Sequence, residues 1–197
     1  MTIKLFLAAL TIFASIVVNA QKLTVTVNYV TNDGAANNNN INYQPNTILT
    51  WNDFKGRPVA ASEAAALTNA GFGVKLSFRR VENTSQLVIN VNCTFSRKDS
   101  WVKPDNKTAY ILNHEQKHFD IAYIHTVLFI QNLRKASFTN SNYAAVIEKV
   151  YNETATAMTK AQYQYDGETN HSRMETKQKE WDEKISGQLA AVIKGSE

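Results

Sequence analysis

The chain has 197 residues, a formal net charge of +4 and a single cysteine. That length suffices for one domain with a real core. The charge is mild and no stretch is densely basic, which argues against nucleic-acid binding, and a lone cysteine excludes an intrachain disulfide.

Taken in chain order, residues 1–20 read as a secretory signal peptide. Lys4 is the basic head, Leu5 to Val18 the apolar stretch, and Val18-Asn19-Ala20 a small-residue cleavage site. That stretch of 14 residues falls short of the about 20 that span a membrane. No cysteine follows the cleavage site to carry a lipid anchor. A mature chain from Gln21, secreted or periplasmic and without a stable membrane span, is the expectation. Oligomeric state is not readable.

The region from about 21 to 103 reads as strands. Leu23, Val25, Val27 and Tyr29 alternate with Thr24, Thr26 and Asn28, and Val74, Leu76 and Phe78 alternate with Lys75, Ser77 and Arg79. Leu87 to Phe95 repeats the pattern with Cys93 in the apolar phase, so its thiol is expected in the core. Alternation of period two implies one buried and one wetter face, as in an antiparallel sheet. Thr47 to Trp51 suggests a further short strand, and Asn32 to Asn40 a solvated loop.

From about 106 to 194 the pattern is helical. Thr108 to Ala136 lacks Gly and Pro and reads as one long helix, with Asp105 or Asn106 as its cap. A second helix is expected from about Tyr143 to Tyr163, and a third from about Arg173 to Ile193 with Trp181, Ile185, Leu189 and Val192 inward. Gly167 to Ser172 joins them. Strands followed by helices predict a single α+β domain over 21–197, an N-terminal antiparallel sheet packed against C-terminal helices.

The long helix carries His114-Glu115-Gln116-Lys117-His118, an H-E-x-x-H pattern. Residues four apart share a helical face, so both imidazoles can reach one metal ion. Glu115 lies at the edge of that face, where a carboxylate can take a proton from a metal-held water. The pattern implies a zincin-like active-site helix with zinc as cofactor. A catalytic zinc takes three protein ligands and keeps a position for water. His125 is seven residues beyond His118, about 10 Å along the axis, too far to share the ion. Asp120 is rotated about 200° from His118, which suits a structural ion pair or loop cap. His171, in the turn between the last two helices, is the first candidate for third ligand. Glu168 and Asp166 are alternatives, and Glu148 and Glu153 weaker ones, because helical glutamates are usually solvated.

The stretches Leu49-Thr50-Trp51-Asn52-Asp53-Phe54-Lys55-Gly56-Arg57-Pro58, Ser100-Trp101-Val102 and Leu112 to Ile121, together with Tyr165-Asp166, Thr169-Asn170-His171 and Trp181, resemble a family of secreted bacterial proteins. That family is a domain of unknown function regarded as zinc-dependent proteases. The resemblance implies a zinc peptidase, an activity inferred in the family mainly from its zinc motif. A glycine is expected after the last histidine, where this chain has Ser172.

The expected reaction is hydrolysis of a peptide or protein substrate by zinc-activated water. Glu115 acts as general base. Tyr165, near His171, is the candidate oxyanion donor, with simple aromatic packing as its alternative. An extended substrate would add to a sheet edge. Two rival classes stand beside this one. The first is an exported binding protein with a structural zinc site. The second is a metal-free carbohydrate-binding or adhesion module.

Overall fold

The computed structural model describes residues 22–31 and 39–195. The expected signal peptide and most of the asparagine-rich loop lie outside them. Strand β1 (Lys22–Tyr29) and β2 (Asn40–Asn42) share a sheet with β4 (Ala70–Val81) and β5 (Thr84–Ser96). A separate pair is formed by β3 (Ala66–Leu67) and β6 (Trp101–Val102). Three helices follow: α1 (Ala109–Lys135), α2 (Tyr143–Thr169) and α3 (Glu175–Lys194). The molecule is α+β, as the patterning predicts.

The sheet is mixed, which corrects the antiparallel expectation. β4 and β5 form an antiparallel hairpin, Val81 facing Thr84 and Ala70 facing Phe95. On the other edge of β5 runs β1, parallel, with Lys22 beside Thr84 and Tyr29 beside Val91. Further along β5, β2 pairs with it antiparallel, Asn40 with Ser96. Alternation reports which side chains face the core and is blind to a neighbour's direction. Direction follows from the connection, and the long excursion between β1 and β5 permits a parallel return.

β5 shows why this order is stable. Leu87, Ile89, Val91, Cys93 and Phe95 are all 0% exposed, the inward face of a strand covered by helices. Each of the larger apolar chains contributes about 1.5–3 kcal/mol on leaving water. Burial pushes the Cys93 thiol up to about 12, so it is a packing residue and not a nucleophile. Thr47 to Trp51 is not a strand. The Asp53 carboxylate accepts from both the amide and the hydroxyl of Thr50 at 2.8 Å, closing a single 3-10 turn over Trp51–Asp53.

α1 is the central rod. Thr108 caps it by accepting from the Ile111 amide at 3.1 Å. Asp105 and Asn106 belong instead to the 3-10 turn Pro104–Asn106 before it. Phe119, Ala122, Tyr123 and Val127 face the sheet beside Cys93 and Phe95. Ile121 and Ile124 face Tyr165, Trp181 and Ile185 of the other helices. Burial on both sides leaves the polar residues of α1 that point inward in need of partners. Among the described residues no helix is long and apolar enough to cross a membrane.

Candidate metal centre

His114 and His118 lie one turn apart on α1, with 3% and 9% exposure. Their Nε2 atoms approach to 3.2 Å. The third corner is Asp166, whose Oδ1 is 3.1 Å from His114 Nε2 and 3.0 Å from His118 Nε2. These three side chains form a group able to hold a metal ion. A tetrahedral ion with bonds of about 2.0–2.1 Å sets its ligand atoms about 3.3–3.4 Å apart. The triangle is therefore close to the spacing that such an ion imposes.

The hydrogen bonds behind the rings settle what the three corners offer. Gln178 Nε2 donates to Tyr165 Oη at 2.6 Å and to Asp182 Oδ1 at 2.7 Å. Its Oε1 is therefore the atom 2.9 Å from His114 Nδ1, and Nδ1 must carry the proton. Gln162 Nε2 donates to the His118 carbonyl at 2.9 Å, so its Oε1 faces His118 Nδ1 and accepts there too. Both neutral rings then present bare Nε2 lone pairs to each other and to a carboxylate. Three acceptors converging in a buried space repel one another unless a cation, or added protons, sits among them.

The charge balance agrees. Burial works against a charge on His118, but its hydrogen bond to Asp166 and the nearby Glu115 and Asp166 charges outweigh it and raise the ring to about 8. For Asp166 burial acts upward, yet hydrogen bonds from His114 and His118, made when Nε2 carries a proton, hold its carboxyl well below the usual range. The pocket favours positive charge at its centre.

Glu115 is 4% exposed and lines a cavity of about 400 Å³ above the triangle. Its Oε2 is inaccessible and has no hydrogen-bond partner among the described residues, an unusual state for a buried carboxylate oxygen. The segment Ala64 to Thr68 also lines the cavity, tied down by Thr68 Oγ1 donating to the Glu115 carbonyl at 3.2 Å. The Lys103 amide donates to Ala65 O at 2.9 Å, so residue 65 faces β6. Ala66, next along in β3, turns its amide and carbonyl away from β6.

His171 lies just outside the triangle. Its Nδ1 is 3.6 Å from Asp166 Oδ1 and its side chain is 52% exposed. The corner that the sequence reading gives first to His171 is held by Asp166, and the reason is the length of α2. The helix runs through Gly167 to Thr169, beyond the expected Tyr163, which keeps Asp166 on an inward-facing turn. It stops only at Asn170, left-handed at φ 47°.

The remaining candidates sit elsewhere. Glu168 accepts from Trp181 Nε1 at 2.8 Å and pins α2 to α3. Glu148 is exposed, and Glu153 makes a long 3.9 Å contact with Lys149 in solvent. His125 donates through Nδ1 to Ile121 O at 2.9 Å. Asp120 accepts from Tyr43 Oη at 2.9 Å and pairs with Lys117 at 3.2 Å, anchoring the loop ahead of Leu49. Tyr165 is fully buried. Its ring stacks on His114 at 4.5 Å and its hydroxyl points to the His114 carbonyl at 3.5 Å. It is not among the residues lining the cavity, so the packing alternative describes its place.

Gln162 and Gln178 escape the sequence reading. Glutamine carries no ligand chemistry, and only a third dimension brings it behind an imidazole. No curated protein and no solved structure matches this chain. Over residues 94–172, a span that holds His114, Glu115, His118, Asp166 and His171, the chain matches the family model described as a bacterial protein of unknown function (DUF922).

Proposed function

We propose that the chain is an exported zinc-dependent peptidase, with His114, His118 and Asp166 as its metal ligands and Glu115 as general base. The observation that carries this reading is the convergence of three lone-pair donors, two of them imidazoles whose tautomers are fixed from behind. Two imidazoles and a carboxylate are a donor set suited to zinc. The ion, when bound, supplies a Lewis acid and lowers the pKa of its water from about 15.7 toward about 7.

The chain's own residues do the rest. Glu115, which lines the cavity, takes a proton from the attacking water and delivers it to the leaving amine as the C–N bond breaks. The edge of β3 turned away from β6, whose Ala66 lines the cavity, pairs with an extended peptide and lays its carbonyl across the triangle. The small side chains of Ala64, Ala65 and Ala66 leave room for that strand.

A second reading keeps the ion as a staple in an exported binding protein, with His171 closing the site as a fourth ligand. The 3.6 Å approach of His171 to Asp166 favours it. The unpartnered Glu115 oxygen favours the peptidase, because a staple has no use for a buried base.

Purified protein never exposed to chelator should carry about one zinc per chain. Glu115→Gln should keep that zinc and lose hydrolysis. Turnover that persists in the variant would remove Glu115 from the chemistry, and a wild type that binds no divalent ion would remove the metal centre.

A further inference from the structure

The peptidase reading leaves one requirement open: a donor for the oxygen of the substrate carbonyl as water attacks. Tyr165 does not line the cavity. His171 does, and it also lines a second cleft of about 490 Å³ that continues past Lys103 and Arg173. It therefore stands where a chain crossing the metal triangle passes from one cleft to the next. Neither ring nitrogen of His171 has a partner within hydrogen-bond distance among the described residues. Its nearest contact, 3.6 Å to Asp166 Oδ1, is too long for a hydrogen bond.

The backbone is built to hold the ring there. Asn170, His171 and Ser172 have φ of 47°, 51° and 67°, three consecutive left-handed residues, none of them glycine. Such a turn costs about 1–2 kcal/mol per residue, and strain of this kind gathers at functional sites. It is offset by the His171 amide donating to Asp166 O and the Met174 amide to Thr169 O, both at 2.9 Å. Arg173 Nη2 donates to Glu63 O at 3.0 Å and ties the turn to the wall bearing the β3 edge.

We propose that His171 is a catalytic residue whose ring N–H donates a hydrogen bond to the carbonyl oxygen of the scissile peptide as that oxygen gains negative charge. No proton leaves His171. Water oxygen bonds to the carbonyl carbon, its proton passes to Glu115, and the carbonyl π pair moves onto the oxygen that His171 steadies. The assignment rests on the peptidase reading and gives His171 a task other than metal binding.

The test uses His171→Gly, which accepts the left-handed backbone without strain, and His171→Asn, which restores an N–H donor. Zinc content, the visible spectrum of the cobalt-substituted protein and cleavage of a proteome-derived peptide mixture are measured for each. His171→Gly should keep its zinc and its cobalt spectrum while cleavage falls by about 100- to 1,000-fold, and His171→Asn should recover at least tenfold of that loss. Lost zinc or a shifted cobalt spectrum in His171→Gly would make His171 a ligand and overturn the proposal. Unchanged cleavage in His171→Gly would overturn the proposal alone. A zinc-loaded wild type that cleaves none of the peptides would overturn the peptidase reading with it.

Discussion

Gln178 fixes the tautomer of His114. Its amide nitrogen is committed to Tyr165 and Asp182, so its oxygen alone can face the Nδ1 of His114 at 2.9 Å. Gln162 does the same for His118. A neutral amide draws less charge out of an imidazole than a carboxylate does, so these rings are oriented without being made strongly basic.

Removing one of these supports should therefore weaken the metal before it weakens the fold. Gln162→Met keeps the volume and loses the acceptor, freeing His118 to carry its proton on Nε2. Zinc affinity, measured by competition with a chromogenic chelator, should fall about 10- to 100-fold. Unchanged affinity would show that the tautomer is set by something other than this amide.

Metal-free protein should lose stability as pH rises from 6.5 to above 8. His118 is raised from 6.5 to about 8 in the folded state. The raised value stabilises the fold fully below the unfolded pKa, and that contribution is lost as pH climbs through the folded one. The shift corresponds to about 2 kcal/mol at most. Melting in excess chelator should show a falling Tm across this window, and zinc-loaded protein should not. A flat chelated profile would contradict the charge balance described for the triangle.

Ser172→Gly should stabilise the chain. Ser172 sits at φ 67°, where glycine carries no steric cost, and relief of that strain outweighs the added freedom of the unfolded chain. We expect a gain of about 0.5–1 kcal/mol, read as a higher midpoint in denaturant. A lower midpoint would mean that the Ser172 side chain contributes packing worth more than the strain.

Asp120→Ala should separate scaffold from site. Asp120 is 4% exposed and serves Tyr43, Gln116 and Lys117. Leaving those partners buried and unpaired should cost about 3–5 kcal/mol with zinc stoichiometry unchanged. Loss of zinc from still-folded variant would place Asp120 in the centre after all.

The legible parts of this molecule were those written locally. The 3.6-residue rise alone puts His114 over His118, and the apolar phase of Leu87 to Phe95 reports a buried strand face wherever its neighbours lie. The direction of β1 escaped because alternating side chains read identically in parallel and antiparallel pairs. Asp166 was in view as an alternative, but residue type ranks an imidazole above a carboxylate, and Gly167 suggested a turn. One further helical turn through that glycine, a cost of about 1 kcal/mol relative to alanine, decides which side chain faces the rings. Gln162 and Gln178 depend on how α2 and α3 cross α1, which no single segment encodes.

The candidate ligands come from α1 and α2, while the group that orients the first of them comes from α3. The candidate centre therefore has both of its imidazoles oriented only when α3 is packed on α1. On the peptidase reading, metal loading waits on the packing of all three helices, and the ion pool present at that moment determines what is loaded.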